Sequence, residues 1–327
     1  MKVLLLSALM LALPCSFAAD VQLDLVQSNR EFVGKISEWA VPTPKYVRDP
    51  VMAANGHIYF AVRDGDKIGR FNTSSKSFQE WDLPPGMRPL SPVVTRTGKV
   101  FFGGTGNNAI GELDPVSGEV KTHTIPSKDA YPYSLVLDKS DNVWFTERKL
   151  GAIGKFDRIT GAFTEYPIGF APYALAIDGN GSLWASLMDT DTLAKIDPST
   201  GQMSKLHMGL GSMPRRMAVA PDGKLWVALY GVGKLAMVDP VKIQILKTFD
   251  LPGGANSGPY AVNVDHKGKV WVSEIQTDQL VVVNPANSAM RVFKLPSRDS
   301  GVRNAVIAPN GRYWFIASHM GKIGVVD

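Results

Sequence analysis

The chain has 327 residues, a formal net charge of +5 and a single cysteine. One cysteine rules out an internal disulfide and any metal or haem site built from several thiolates. The lysines and arginines are spread along the chain without a basic block, which argues against a nucleic-acid-binding protein.

The N-terminus predicts export. Lys2 precedes an apolar run that ends in small residues at Ala18 and Ala19, which is the pattern of a secretory signal peptide. The run is shorter than the ~20 apolar residues that span a bilayer, and no later segment qualifies, so we expect no membrane span. Residues 1–19 are therefore expected to be cleaved, and the mature protein to be periplasmic or secreted. Residues 20–33 form a polar lead-in with no assigned structure.

From residue 34 onward the chain is a repeat. An aromatic residue recurs every 40 to 45 residues, at Tyr59, Phe101, Trp144, Trp184, Trp226, Trp271 and Trp314. A period of about 40–45 residues built from short strands is typical of β-propeller blades. Seven copies predict an all-β fold with one domain, a seven-bladed β-propeller over residues 34–327.

Each copy can be divided into four strands. An apolar inner strand leads into a tight turn such as Asn180-Gly181, whose residues tolerate positive φ. The second strand carries the aromatic residue, and the third contains an Ile-Gly pair such as Ile153-Gly154. We expect the glycines of these pairs to allow close approach between sheets. The fourth strand is polar, as at Phe163–Tyr166, and suits an exposed edge.

The phase of the repeat predicts how the ring closes. The chain ends just after a third strand, at Lys322–Asp327, so the last blade lacks its fourth strand. The segment Gly34–Trp39 matches the fourth strand Gly161–Tyr166. We therefore expect the N-terminal strand to complete the C-terminal blade, because an open ring would leave two unpaired sheet edges.

One position in each copy is predicted to lie at the mouth of the central channel. In a propeller the inner strand begins beside the channel, and the loop after the second strand returns to the same face. Counting eight residues back from each tight turn gives Arg48, Leu90, Tyr133, Tyr173, Arg215, Tyr260 and Arg303.

Three of these positions, in consecutive blades, are candidate catalytic residues: Tyr173, Arg215 and Tyr260. A guanidinium beside a phenol favours the phenolate, so the pKa of these tyrosines should fall. Such a phenolate can remove a proton next to a carboxylate or ester, and an arginine can stabilise the resulting enolate. His319, in the loop after Trp314, is a further candidate base.

Arg48, Tyr133 and Arg303 are candidate ligand-binding residues. Arg48 and Arg303 are neighbours across the ring closure and could clamp an anion. The alternative interpretation is that the tyrosines plug the channel mouth and the arginines are solvated surface charges.

The Trp144–Glu147 and Ile153–Phe156 elements resemble those of the streptogramin B (virginiamycin B) lyase family. The resemblance implies a seven-bladed propeller that linearises a cyclic peptide antibiotic by Mg²⁺-assisted elimination. It further implies that carboxylates hold the metal, one of them at the position of Glu147 and Glu274. The family's histidine base corresponds to Tyr133 or Tyr260, and a second carboxylate to Tyr131 or Gly258, so neither is retained here.

Three functions remain open. The first is binding of a small polar or anionic ligand at the channel mouth, with lyase-type elimination. The second is a non-catalytic module that docks a protein or a cell-wall polymer, because one fold hosts many functions. The third is a metal-dependent lactone hydrolase, which also uses channel carboxylates.

Overall fold

The computed structural model describes residues 35–327, so the expected signal peptide and the lead-in lie outside the described residues. This part of the chain consists of β-strands and two three-residue 3₁₀ helices, Arg63–Gly65 and Met188–Thr190. Within it, no helix has the length and apolar character needed to traverse a lipid bilayer.

The strands form seven sheets, which we number as blades 1 to 7 in chain order. Blades 1 to 3 contain β2 (Val47–Met52), β3 (His57–Val62), β4 (Lys67–Asn72) and β5 (Phe78–Asp82); β6 (Pro89–Val94), β7 (Val100–Gly104), β8 (Ala109–Leu113) and β9 (Val120–Thr124); and β10 (Pro132–Leu137), β11 (Val143–Glu147), β12 (Ala152–Phe156) and β13 (Phe163–Pro167). Blades 4 and 5 contain β14 (Leu175–Ile177), β15 (Leu183–Leu187), β16 (Thr192–Ile196) and β17 (Met203–His207); and β18 (Pro214–Val219), β19 (Leu225–Leu229), β20 (Lys234–Asp239) and β21 (Gln244–Asp250). Blades 6 and 7 contain β22 (Pro259–Val264), β23 (Val270–Glu274), β24 (Gln279–Val283) and β25 (Met290–Lys294); and β26 (Val302–Ile307), β27 (Tyr313–Ala317), β28 (Lys322–Val326) and β1 (Ile36–Ala40).

The first strands of the blades surround a common axis. Each sheet is antiparallel, with the strands of blades 1 to 6 neighbouring one another in chain order and those of blade 7 in the order β26, β27, β28 and β1. The first strands contact one another in a closed cycle, β2 to β6, β10, β14, β18, β22, β26 and back to β2. The fold is therefore the predicted seven-bladed β-propeller, and residues far apart in sequence meet around the channel.

The N-terminal strand closes the ring as predicted. β1 pairs antiparallel with β28, from Ile36 opposite Val326 to Ala40 opposite Lys322. The ladder continues through a hydrogen bond from the Asp327 amide to the Lys35 carbonyl at 3.1 Å. Glu38 Oε2 also accepts from Lys322 Nζ at 3.0 Å. β1 therefore serves as the fourth strand of blade 7 and covers the edge of β28.

The glycines of the third strands have a different role from the predicted one. A Cβ atom on Gly69 would lie 2.2 Å from the ring of Phe60, which is directly opposite it on the neighbouring strand. The same relation holds for Gly111 and the ring of Phe102. The missing side chain therefore makes room for an aromatic ring within the same blade, and the expectation of close sheet-to-sheet approach is wrong at these positions.

Irregular pairing at the start of the inner strands shapes the channel. Six of the seven first strands in the described chain shift register against the second strand a few residues after they begin, as between Arg48 and Val51 in β2. Asp49 and Ser91 have φ of +50° and +47° within these shifts. An extra residue in a strand breaks the alternation of side chains. Two successive residues can therefore face the channel.

Candidate functional site

The predicted channel-mouth positions come together in the structure. One buried cluster contains four of them: Leu90, Tyr133, Tyr173 and Tyr260. The Arg48 guanidinium approaches the Tyr133 hydroxyl at 3.4 Å. Arg215 and Arg303 lie over the ring of Tyr260, at 5.5 and 5.8 Å from its centroid. The residues obtained by counting back from the tight turns therefore lie near one another in the structure, although they come from different blades.

Three tyrosine hydroxyls form a chain across the channel. The oxygens of Tyr133 and Tyr173 are 2.9 Å apart. The Tyr173 hydroxyl also contacts that of Tyr260, which lies two blades further on. All three side chains are buried. A phenol both donates and accepts, so the chain can be satisfied without water.

Arg215 is surrounded by aromatic rings instead of carboxylates. Its guanidinium carbon lies 4.8 Å from the Tyr173 ring centroid, 4.6 Å from that of Tyr230 and 5.5 Å from that of Tyr260. One of its nitrogens contacts the Met188 sulfur at 3.0 Å, and its Nε has no hydrogen-bond partner in the described chain. Cation–π attraction stabilises the charge at the mouth, and the Nε donor of the guanidinium keeps no hydrogen-bond partner in the described chain.

Arg148 shares this environment, although the sequence did not single it out. It lies in the loop after β11, with its guanidinium carbon 5.4 Å from the Tyr133 ring centroid and 5.1 Å from that of Tyr173. It approaches the same Met188 sulfur as Arg215, at 3.8 Å. Two guanidinium groups therefore flank the tyrosine chain on the same side.

His319 lies beside Arg303 and is already engaged. Arg303 Nη1 donates to His319 Nε2 at 2.9 Å, because a guanidinium has no acceptor. The other ring nitrogen, Nδ1, must then carry the proton and donate to Asp299 Oδ1 at 2.9 Å. The ring also stacks on Tyr46. In this arrangement His319 has no free lone pair, and it would have to lose the Arg303 contact to act as a base.

A buried ion cluster lies beside the tyrosine chain. Asp49 Oδ1 is 2.8 Å from Arg216 Nη2, on the far side of the ring, and 3.6 Å from Arg48 Nη2. The Ser91 amide donates to Asp49 Oδ2 at 3.2 Å. The exposed fractions of Arg48, Asp49 and Arg216 are 3%, 3% and 9%. The cluster ties blade 1 to blade 5 through the channel.

The electrostatic environment shifts the pKa values of two neighbouring tyrosines, Tyr133 and Tyr173, in opposite directions. Burial opposes ionisation of Tyr133, but the charges of Arg48 and Arg216 outweigh it and lower the pKa of its phenol. Burial raises the pKa of Tyr173, and the neighbouring Tyr133 raises it further. The expectation that an adjacent guanidinium lowers the pKa is therefore wrong for Tyr173, where these two effects exceed the attraction of Arg215.

The predicted metal ligands are held apart from each other. Glu147 is on blade 3 beside Glu165, and neither of its carboxylate oxygens has a hydrogen-bond donor in the described chain. Glu274 is on blade 6, where Oε1 accepts from the Gly253 amide at 3.1 Å and Oε2 accepts from the Gln279 amide group. Over residues 35–327, no group of three histidine, cysteine or carboxylate side chains could hold a metal. Mg²⁺ needs near-octahedral oxygen ligation, so these residues do not fit the ion that the resemblance implied.

Some of the site residues that the sequence analysis did not identify could have been found from the sequence. Arg216 and Asp49 directly follow the ring residues Arg215 and Arg48, and charged neighbours at two such positions were a visible signal. Strict alternation along a strand would turn them away from the channel, and only the register shift brings them in. Arg148 lies in a loop, whose course no periodicity predicts.

Comparison with known proteins agrees with this fold. The sequence profile of the Virginiamycin B lyase family matches residues 29–238 and 94–327. A streptogramin B lyase structure superposes with a TM-score of 0.83 at 20% identity, covering 90% of this chain and 97% of that one. A selenomethionine-substituted virginiamycin B lyase from Staphylococcus aureus gives 0.82 at 20% identity, covering 90% and 99%. A YCF48 structure bound to D1 peptide gives 0.73 at 12% identity, covering 89% and 94%.

A comparison with curated protein sequences gives no match. At these identities the superpositions speak for the fold alone. The two overlapping profile matches, in contrast, together cover residues 29–327. The chain therefore belongs to the virginiamycin B lyase family.

Proposed function

We propose that this protein is an exported propeller that binds a small anionic molecule at the channel mouth. The observation that carries the proposal is a set of three guanidinium groups, on Arg148, Arg215 and Arg303, around the tyrosine chain. In the described chain none of the three has a carboxylate within 4 Å. Arginines brought together without anionic partners repel one another, and an anionic ligand would remove that repulsion.

The surroundings of the arginines suit a hydroxylated acid. Arg215 and Arg303 approach the Tyr260 ring, so a ligand carboxylate bound to either would lie close to an aromatic surface. Tyr230 and Gln276, joined by a 3.1 Å hydrogen bond, add polar groups near Arg215. Sugar acids and small hydroxy acids combine a carboxylate with hydroxyls and a compact apolar face, so they are the ligand class that we propose.

Binding can be tested by calorimetry on the mature chain with a panel of sugar acids, hydroxy acids and cyclic peptides. We expect at least one acid to bind, and Arg215→Ala to weaken it by about 10-fold or more, as for loss of one charge-assisted contact. The matched control is Arg70→Ala, because Arg70 also lies over an aromatic ring, Trp81, but on the outer strands of blade 1. If no acid binds, or if Arg215→Ala binds it as well as the wild type does, the proposal fails.

Elimination is a second candidate function, and the tyrosine chain is the observation that favours it. A base and an arginine facing a bound acid are the groups that removal of a proton next to a carboxylate requires. The test is incubation of each bound acid with the protein and detection of an unsaturated product by ultraviolet absorbance and mass spectrometry. An acid that binds but is recovered intact would leave a binding protein, and a single protein partner captured instead would favour a docking module.

Export is proposed from residues 1–19, which have the composition of a signal peptide. Expression of the full chain in a Gram-negative host, followed by N-terminal sequencing of the periplasmic fraction, tests it. We expect a mature N-terminus near Asp20. An intact Met1 in the cytoplasmic fraction alone would contradict export.

A further inference from the structure

The buried charges beside the tyrosine chain do not sum to zero. Arg48 and Arg216 contribute two positive charges, and Asp49 contributes one negative charge to both. Among residues 35–327 no second carboxylate lies within 4 Å of either guanidinium. A net charge in a site this buried is costly, so a further anion is expected beside the cluster.

Tyr133 is the group placed to supply that anion. Its hydroxyl is 3.4 Å from Arg48 Nη2 and 2.9 Å from the Tyr173 hydroxyl, so a phenolate there would accept two hydrogen bonds. The charged and titratable groups that face it are Arg48 and Asp49 from β2, Arg216 from β18, Arg148 from the loop after β11, Tyr173 from blade 4 and Tyr131 from its own blade. Three cations therefore face Tyr133 against a single carboxylate.

The pKa shifts agree in direction with this placement. The pKa of Tyr133 is lowered because the two buried guanidinium groups outweigh its burial. The pKa of Tyr173 is raised by burial and by the adjacent Tyr133. A phenolate on Tyr133 beside a neutral, donating Tyr173 is the arrangement that both shifts favour.

We propose that Tyr133 is a tyrosinate and that Tyr173 and Tyr260 carry protons to it from the channel mouth. The proposal deepens the proposed function and relies on it for the substrate, an acid with a C–H bond next to its carboxylate. The Tyr173 proton shifts to Tyr133 and the Tyr260 proton shifts to Tyr173, which leaves the phenolate on Tyr260. Tyr260 then forms an O–H bond with the substrate proton. The electron pair of the broken C–H bond stays on the substrate as an enolate, facing Arg215.

The tyrosinate can be counted without any ligand. We would record ultraviolet absorbance of tyrosinate on the mature chain from about pH 5 to 11, which brackets the ordinary tyrosine pKa near 10. We expect one tyrosine to ionise at a pH below the ordinary range in the wild type, and this step to be absent in Tyr133→Phe. Tyr166→Phe is the matched control, because Tyr166 lies on the outer strand β13 against Trp144, and it should keep the step.

The relay is overturned if the wild type shows no such step, or if Tyr133→Phe retains it. If Tyr133→Phe does not fold, NMR of wild-type protein labelled with ¹³C at tyrosine Cζ counts ionised rings directly, and a set in which no ring ionises below the ordinary tyrosine range overturns the proposal. Tyr260→Phe should keep the spectroscopic step but lose turnover of a substrate acid. Acid binding without the step overturns the relay alone, whereas the step without any acid binding overturns the proposed function.

Discussion

Arg215 and Arg216 are adjacent on β18 and carry the same side chain into two different environments. Arg216 is buried and pairs with Asp49 at 2.8 Å. Arg215 is half-buried, has three tyrosine rings around it and no carboxylate within reach. Arg216 is therefore part of the packing of the channel, whereas Arg215 keeps a charge without a carboxylate partner in the described chain, and the proposed ligand site rests on that difference. The register shift after Pro214 is what allows neighbours to differ in this way.

The largest effect is expected when the carboxylate that distinguishes the two arginines is removed. Asp49→Asn removes the carboxylate that pairs with Arg216, so that Arg216 becomes a buried cation without an ion pair. Asparagine, like aspartate, tolerates the φ of +50° at this position. Breaking a buried pair on one side costs about 3–5 kcal/mol. We expect the free energy of unfolding, measured by urea titration, to fall by about that amount.

The double variant Asp49→Asn with Arg216→Met is the control for this prediction. Removing both charges takes away the uncompensated cation, so we expect at least half of the lost stability to return. If the single variant loses less than about 1 kcal/mol, Arg216 does not depend on its ion pair and the contrast with Arg215 disappears.

Glu147 tests the opposite case, a buried carboxyl group with no hydrogen-bond donor in the described chain and a second carboxyl group, Glu165, beside it. Its burial and then the Glu165 carboxyl raise the pKa of Glu147 from 4.5 to about 8. The folded chain therefore holds a proton between those two pH values that the unfolded chain has lost, so stability decreases as pH rises from about 4.5 to about 8. Only a protonated Glu147 can donate to Glu165, which agrees with this direction.

We expect Glu147→Gln to be more stable than the wild type at pH 9 by roughly 1–3 kcal/mol, and by little at pH 4. Thermal unfolding across this pH range measures the difference. Glu274→Gln is the matched control at the same blade position, because the Glu274 oxygens accept from Gly253 and Gln279, and it should not be stabilised at pH 9. A Glu147→Gln advantage that does not change with pH would contradict the raised pKa of Glu147 as its cause.

The sequence predicted the architecture because the same pattern of strands and turns recurs seven times. Seven aromatic anchors fix the blade number, and the phase of the last copy fixes the pairing of β1 with β28. The channel-mouth positions followed from the same period. What failed were statements about which neighbour a side chain meets. Gly69 makes room for the ring of Phe60 on the neighbouring strand, and a repeat of 40 to 45 residues does not predict contacts between individual side chains.

The electrostatics of the site could not be predicted for a related reason. The pKa of Tyr133 is lowered by Arg48 and Arg216, from two blades that are not next in sequence. Asp49 and Arg216 are 167 residues apart in sequence, and they meet because the backbone at Asp49 is irregular, which the composition does not predict. Closure of the ring brings charged residues from distant blades together. The sequence therefore identifies which charged residues are near the channel, but it does not predict which of them pair or shift the pKa of Tyr133.

The smallest effect on stability is expected for Arg215→Met, and comparing it with Arg216→Met tests directly whether the two arginines have different roles. Arg215→Met should change the free energy of unfolding by less than about 1 kcal/mol, because the side chain is half-buried, has no ion pair and repels Arg148 across Met188. Arg216→Met in the same buffer should cost more, because it leaves Asp49 with Arg48 alone at 3.6 Å. Urea titration of both variants gives the comparison, with ligand affinity as the second readout. If Arg215→Met is the more destabilised of the two, the arginine at the mouth is a structural residue and its availability to an anion loses its physical basis.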